Sequence, residues 1–147
     1  MNLFLLHDDP EINAWLHHDK HVVKMVLETA QIMCTVAHSK GIDAPYKPTH
    51  KNHPVTKWAC ESNDNLCYLA NVGYYLAKEY SRRYGKVHKS SHVIKLIATK
   101  LTGDSSHYEF PQSFVQCFPD EYKNEDPFQG YRSYYKAEKL ENATWKN

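Results

Sequence analysis

The sequence is poor in the residues that build turn-rich β folds, and it has no long apolar run. Its 147 residues include only five glycines and seven prolines, which argues against a barrel or a sandwich. The apolar stretch at residues 3–6 is followed at once by His7, Asp8 and Asp9, so it is too short for a signal peptide. No stretch approaches membrane-spanning length. We therefore expect a cytoplasmic protein with no membrane partner.

The sequence also lacks a strong excess of charge of one sign, and it has no paired cysteine motif. Eighteen basic and seventeen acidic side chains give a formal net charge of +1, which excludes a histone-like binder and an acidic disordered chain. The spacing of the four cysteines matches no paired metal-binding motif, and two disulfides are possible in principle. We expect free and mostly buried thiols at Cys34, Cys60, Cys67 and Cys117. Ten histidines and eleven tyrosines are in excess, and histidine is the side chain that changes charge near neutral pH.

The apolar spacing predicts one compact all-α domain over residues 1–147, with about four helices and long loops. A capping Asp8 or Asp9 ahead of Pro10 predicts a first helix that runs to about Ser39. Further helices are predicted over residues 54–80, 91–101 and 127–142, and residues 1–6 are expected to form a short strand or an extended arm.

The first predicted helix carries the main functional pattern. At about 100° per residue, its polar face collects Asn13, His17, Lys20, His21, Lys24, Glu28 and Gln31. Solvated faces usually pair glutamate with lysine, whereas this face offers imidazoles and amines before any acid appears. These groups are the proton donors and acceptors that acid–base catalysis near neutral pH requires. The simpler alternative is a solvated helix face without a catalytic role.

Asp19 interrupts the apolar side of the same helix. An ionised carboxylate among Trp15, Val22 and Val26 is costly unless it is paired. We therefore expect either that Asp19 is a buried acceptor that orients a cation from elsewhere, or that the helix breaks near it.

A second cluster precedes the helix that begins at Pro54. His50, Asn52 and His53 lie next to its N-terminus, which attracts anions such as phosphate. The alternative is that Asn52 or His53 only caps the helix.

A third cluster combines cations with an aromatic ring. Arg83, Tyr84 and His88 are of the types that hold phosphates and stack on bases. The alternative is a charged helix end.

A metal is the competing explanation for the histidines. His17 and His21 have the i,i+4 spacing that lets two imidazoles share one ion, and a third ligand would come from Glu28 or from the cluster before Pro54. However, there is no HExxH motif, and the ammonium groups of Lys20 and Lys24 would repel the ion. We therefore expect neither a metal nor another cofactor.

Four segments resemble a group of small phage-encoded proteins: LHHDKHVVKMVLETAQ, YKPTHKNHPVTKWACES, EYSRRYGKVHKS and PDEYKNEDPFQGYRSYYKAEK. This similarity spans nearly the whole chain. That group is in turn similar to the pyrimidine-dimer DNA glycosylase family of the endonuclease V type. The second similarity rests on chain length, helix order, the KNHP segment, an RxYG-like turn and an aromatic, basic C-terminus.

The resemblance implies an endonuclease V-like all-α enzyme in the host-cell cytoplasm that bends DNA and flips a nucleotide out of the duplex. In that family the N-terminal amine forms an imine with C1′, and the strand is cut by β-elimination. A glutamate flanked by basic residues on the first long helix assists. In this chain Met1 is expected to be retained ahead of Asn2, so the corresponding amine is that of Met1, and His21 stands where the carboxylate is expected.

These observations lead to the hypothesis of a monomeric DNA-repair enzyme of the glycosylase/AP lyase kind, acting on a nucleobase–sugar bond in damaged or modified DNA. The predicted roles are proton shuttle for His21, its carboxylate partner for Glu28, an electrostatic or imine-forming cation for Lys20 or Lys24, and a further catalytic group for His17. One alternative is a nucleotide hydrolase or nucleotide-modifying enzyme that uses the same pocket. The other is a non-catalytic nucleic-acid or nucleotide-binding module. Each of these requires that the clusters converge on one cavity.

Overall fold

The computed structural model describes residues 2–103 and 107–147, and over these residues the chain is all-helical, with no strand. The elements are α1 (Pro10–Leu16), α2 (Asp19–Ser39), α3 (Pro54–Glu61), α4 (Asn63–Tyr84), α5 (Ser91–Thr102), a 3₁₀ turn (Asp120–Tyr122) and α6 (Pro127–Glu138). The all-α prediction is confirmed. The described residues form six α-helices rather than about four, because the first two predicted helices each divide in two.

The N-terminal residues form a buried extended arm. Side chains Leu3 to Leu6 are all at most 4% exposed. The Leu6 N–H donates to Asn13 Oδ1 over 2.7 Å, and Asn2 Nδ2 donates to the carbonyl of Cys117 over 3.0 Å. The arm is thereby fixed between α1 and the segment that precedes α6.

The chain breaks between α1 and α2 because distant side chains bind the carbonyl groups at the end of α1. The guanidinium of Arg83 donates to the carbonyl oxygens of Trp15, at 3.1 Å, and His17, at 2.8 Å. The indole Nε1 of Trp145 donates to the carbonyl of Leu16 over 3.1 Å. These bonds satisfy carbonyls that a continuous helix would have paired internally.

The first N–H groups of α2 are bound in the same way. The Tyr135 hydroxyl accepts from the His18 N–H over 3.1 Å, and the Thr144 carbonyl accepts from the Asp19 N–H over 2.8 Å. Both partners come from the last third of the chain, so the break between α1 and α2 is stabilised by tertiary contacts.

The break between α3 and α4 is local. Ser62 has extended backbone angles, and its hydroxyl accepts from the Asn65 N–H over 3.1 Å, as an N-cap does. The Asn65 side chain also donates to the carbonyl of Trp58 over 2.8 Å, which joins the two helices.

Helix α2 is the centre of the core and packs against α3, α4 and α5. Its residues Val22, Val26, Ala30, Met33 and Ala37 are fully buried. Gly73 lets α4 approach it closely, since a Cβ at this position would lie only 2.7 Å from Thr29 Cγ2. The exposed side of α2 is therefore the side available to a ligand.

Two further expectations bear on the whole chain. All four cysteines are free, with Cys34 and Cys67 buried, Cys117 half-buried and Cys60 exposed, which confirms the expectation of free thiols. Among residues 2–103 and 107–147, no helix is both long enough and apolar enough to cross a bilayer.

Candidate functional site

His21 is the centre of a compact ring cluster at the N-terminal end of α2. Its Nδ1 lies 3.0 Å from the Tyr135 hydroxyl, and its ring stacks on Phe4 with centroids 4.6 Å apart. The ring of His18 also stacks on His21, with centroids 4.0 Å apart. Contacts from three separate parts of the chain thus fix the orientation of the imidazole.

The Tyr135 hydroxyl is placed to set which nitrogen of His21 carries hydrogen. Its oxygen accepts from the His18 N–H, and its own hydrogen can be donated to Nδ1 of His21. Nδ1 then acts as the acceptor, and the neutral ring carries its hydrogen on Nε2. His21 therefore offers an N–H donor to a ligand.

The surroundings also keep His21 neutral. Burial lowers its pKa to about 3, and the positive charges that His18, His17, Lys139 and Lys24 can carry act in the same direction. At neutral pH such a ring is a hydrogen-bond donor and acceptor but a poor base. This geometry favours a binding role for His21 over the predicted proton shuttle.

Exposed amines lie beside this ring. Lys20 and Lys24, one residue before and three residues after His21, are both exposed on α2. Their i,i+4 spacing places them on neighbouring turns of one helix face. The structure thus presents two amines next to one neutral N–H donor.

Glu28 does not lie where a carboxylate partner of His21 was predicted. It is buried, and it lies about 10 Å further along the axis of α2, two turns away. The Tyr135 hydroxyl occupies the hydrogen-bonding position beside His21 that was predicted for this carboxylate.

His17 lies in the core and not on an exposed catalytic face. Its side chain is 1% exposed, and its Nδ1 donates to the carbonyl of Asn13 over 2.7 Å. Burial lowers its pKa to about 4, although the hydrogen bond to Asn13 acts in the opposite direction. The break after α1 turns His17 away from the α2 face, and a structural role follows.

Asp19 is buried and bound to Arg83, at the helix break. Both outcomes considered for Asp19 are therefore present together. The Arg83 guanidinium donates to Asp19 Oδ1 over 3.1 Å and to Glu79 Oε2 over 3.3 Å. Burial alone would raise the pKa of Asp19, but hydrogen bonds from Thr144, the Lys146 N–H and Arg83 lower it.

The hydrogen bonds of Arg83 bear on its predicted contact with phosphate. Besides these two carboxylates it binds the carbonyls of Trp15 and His17, and its side chain is 2% exposed. A guanidinium so engaged has little capacity for a phosphate. The geometry favours a structural role for Arg83 over the predicted phosphate contact.

His88 and Tyr84 also hold parts of the fold together. His88 Nε2 donates to the carbonyl of Val23 over 2.9 Å, and its Nδ1 accepts from the Ser90 N–H over 3.0 Å, so both ring nitrogens are engaged. Burial lowers the pKa of His88. The half-buried ring of Tyr84 lies 5.5 Å from the ammonium group of Lys146.

The cluster before α3 lies at the other end of α2. His53 caps α3 through its Nδ1, which accepts from the Val55 N–H over 3.1 Å, whereas His50 and Asn52 are exposed. Backbone and side-chain bonds between Thr49 and Thr35 fix this loop on α2, about 20 Å along the axis from His21. The clusters therefore do not converge on one cavity, so that prediction is wrong, and any site at the N-terminal end of α2 has to work without His50, Asn52 and His53.

Sequence reasoning missed the residues that complete the His21 cluster. Phe4 and Tyr135 come from the two ends of the chain, and Trp145 contributes a half-exposed indole edge-on to His18 at 6.4 Å. The excess of tyrosines was a signal, but nothing in their spacing distinguishes Tyr135 from its neighbours. The amine predicted at Met1 lies outside the described residues.

No group of three or more His, Cys, Asp or Glu side chains among the described residues is placed to hold a metal ion. In comparisons with known proteins, the chain matches no protein-family model, no curated protein and no solved structure.

Proposed function

We propose that the protein is a DNA glycosylase/AP lyase-like enzyme that acts on a nucleobase–sugar bond in damaged or modified DNA at the N-terminal end of α2. The observation that carries the proposal is the pair of exposed amines, Lys20 and Lys24, on either side of the fixed neutral ring of His21. Ammonium groups and an imidazole N–H are suitable donors to phosphate oxygens. The resemblance to the endonuclease V type of glycosylase supports the same reaction class.

The reaction needs one amine in its neutral form. Its nitrogen attacks C1′, the glycosidic bond breaks, and the electron pair leaves with the base, which takes up a proton. The attacking nitrogen gives up one proton, the C1′–O4′ bond opens with O4′ taking up a proton, and the resulting protonated imine keeps the second N–H. Removal of a C2′ proton then expels the 3′ phosphate, and water releases the lysine.

In this mechanism the residues have separate tasks. One of Lys20 and Lys24 is the nucleophile, and the other stabilises phosphate charge. His21 donates from Nε2 to the substrate, held by Tyr135 and Phe4. With its pKa lowered to about 3, His21 positions the substrate and does not move the proton.

The decisive test is borohydride trapping on duplexes that contain an abasic site or a pyrimidine dimer. We expect a covalent adduct with the wild-type chain and its loss in the double variant Lys20→Arg with Lys24→Arg, which keeps both charges. The exposed Lys123→Arg is the matched control and should still form the adduct. Mass mapping of the trapped peptide identifies the amine, and an adduct at Met1 would show that the lysine assignment is wrong.

A second candidate is a non-catalytic nucleic-acid or nucleotide-binding module. The low pKa of His21 favours it, because β-elimination needs a group that removes the C2′ proton and this ring takes up a proton poorly near pH 7. DNA binding without an adduct on either substrate, unchanged in His21→Ala, would favour the module and rule out the enzyme.

A further inference from the structure

The near-neutral net charge conceals a strong division of charge along the chain. Residues 20–60 and 80–103, here called the cationic half, contain twelve of the eighteen basic side chains and only two of the seventeen acidic ones. The remaining residues contain six basic and fifteen acidic side chains. A chain with a net charge of +1 can therefore still have a strongly positive surface.

The charges of the cationic half are on the surface. Eleven of its twelve basic side chains are exposed, and the buried one is Arg83. Of its two acids, Glu28 is buried and only Asp43 is exposed. Of the acids next to its boundaries, Asp19 and Glu79 are buried against Arg83, whereas Glu61 is exposed at the end of α3. Little negative charge is left on this side to neutralise the lysines.

The segments of the cationic half also meet in space. The turn at residues 85–90 is bonded to α2 through His88 and Val23. The loop before α3 reaches α5, where the Tyr46 and Ser90 hydroxyl oxygens lie 2.8 Å apart and Lys100 Nζ donates to the carbonyl of Asp43 over 3.2 Å. The loop, the turn and the exposed side of α2 therefore belong to one surface.

Along this surface the cations lie at both ends of α2. Lys20 and Lys24 stand at its beginning, and Lys47 and Lys51 stand in the loop that is fixed on Thr35, about 20 Å away along the helix axis. Lys86 and Lys89 flank the contact of the turn with α2. Such a spread is too wide for one nucleotide and matches an extended polyanion.

We propose that the cationic half is a phosphate-binding face that holds duplex DNA alongside the reaction site. This inference rests on the proposed function in naming DNA as the polyanion. At one negative charge per 1.7 Å of helix axis, about 20 Å of duplex presents about 12 phosphates. Contacts to those phosphates fix the register of the duplex on α2 and leave the chemistry to Lys20 and Lys24.

The exposed apolar residues favour DNA over a lipid surface. On the outer face of α2 only Val23 and Leu27 are exposed, at 38% and 39%, and Val23 lies between Lys20 and Lys24. A peripheral membrane helix instead needs a broad apolar face with aromatic or leucine side chains to insert among the lipids. The other exposed large apolar residues of the cationic half, Val87 and Leu96, lie on separate elements, each next to a lysine. Charge spread over several elements, with only scattered apolar side chains, is typical of contact with a phosphodiester backbone.

The test measures binding of an undamaged 20-base-pair duplex as a function of salt. We expect the logarithm of the association constant to fall linearly with the logarithm of salt concentration, with a slope reduced by about 0.9 for each phosphate contact removed. The double variants Lys47→Gln with Lys51→Gln, and Lys86→Gln with Lys89→Gln, should each weaken binding by roughly tenfold or more at low salt. The matched control is Lys78→Gln with Lys123→Gln, which removes two exposed lysines outside the cationic half and should bind as the wild type does.

The possible results test the phosphate-binding face and the proposed reaction independently of each other. Equal losses in all three double variants, or none in the first two, would refute the face, and a trapped adduct would still support the enzyme. Conversely, the expected losses without any adduct would support the face and refute the enzyme. Tighter binding to vesicles of anionic phospholipid or to duplex RNA than to duplex DNA would also overturn the assignment of the partner.

Discussion

The hydroxyl of Tyr135 connects the fold to the candidate site at the scale of a single atom. It accepts from the N–H at the start of α2, and it lies 3.0 Å from Nδ1 of His21. The same oxygen thus satisfies a buried backbone donor and selects the form of the imidazole that a ligand meets. The neutral ring follows from this hydrogen bond together with burial.

We expect Tyr135→Phe to lower the free energy of unfolding by about 1–3 kcal/mol, because it leaves the buried His18 N–H without its acceptor. Chemical denaturation measures the change. Tyr134→Phe is the matched control, since it removes a hydroxyl one residue away and leaves both contacts intact. Equal stability of the two variants would contradict the role given to Tyr135.

At the residue scale, the sequence indicated which helix carries the candidate site but not which residues surround His21. Lys20, His21 and Lys24 share one region of α2, as the helical spacing predicted. Phe4 and Tyr135 could not be found this way, because their sequence separations from His21 carry no periodic signal.

At the scale of elements, the guanidinium of Arg83 makes the break between α1 and α2 possible. It binds the carbonyl of Trp15 in α1, the carbonyl of His17 just after α1, and the buried carboxylates of Asp19 and Glu79. Removal of this cation takes away the shared partner of two buried carboxylates and leaves Asp19 with Thr144 and the Lys146 N–H, and Glu79 with the exposed Arg82. Breaking a buried pair in this way costs more than the net value of the ion pairs.

We therefore expect Arg83→Met, which keeps much of the side-chain length, to destabilise the protein by about 3–5 kcal/mol in chemical denaturation. Arg82→Met is the control, because Arg82 binds the same Glu79 from the exposed side of α4 and should change stability much less. Similar losses in the two variants would mean that the buried network does not hold the break.

The two helix breaks differ in how far the sequence could predict them. The break at Ser62 has a local cap, and the run Ser-Asn-Asp-Asn at residues 62–65 was a signal that the apolar spacing overrode. The break after α1 has no glycine or proline, and its partners Arg83 and Trp145 are more than 60 residues away. Only the misplaced charge of Asp19 indicated it.

At the scale of the whole molecule, buried histidines make stability depend on pH. His17, His18 and His21 all have pKa values below the ordinary value of 6.5, with burial as the largest cause. In the unfolded chain the same rings take up protons below about pH 6.5, so the unfolded state binds more protons than the folded state. The free energy of unfolding must then fall as the pH drops from about 7 towards the folded pKa values.

His17 provides the clearest case, because its ring is 1% exposed and its pKa is lowered to about 4. From this shift we expect His17 alone to remove about 2 kcal/mol of stability between pH 7.5 and pH 5, measured by urea denaturation at each pH. His17→Gln should be less stable at pH 7.5 and should show a pH dependence smaller by that amount. The exposed His92→Gln should keep the wild-type dependence. If His17→Gln lost as much stability on acidification as the wild type, protonation of this ring could not be what destabilises the fold.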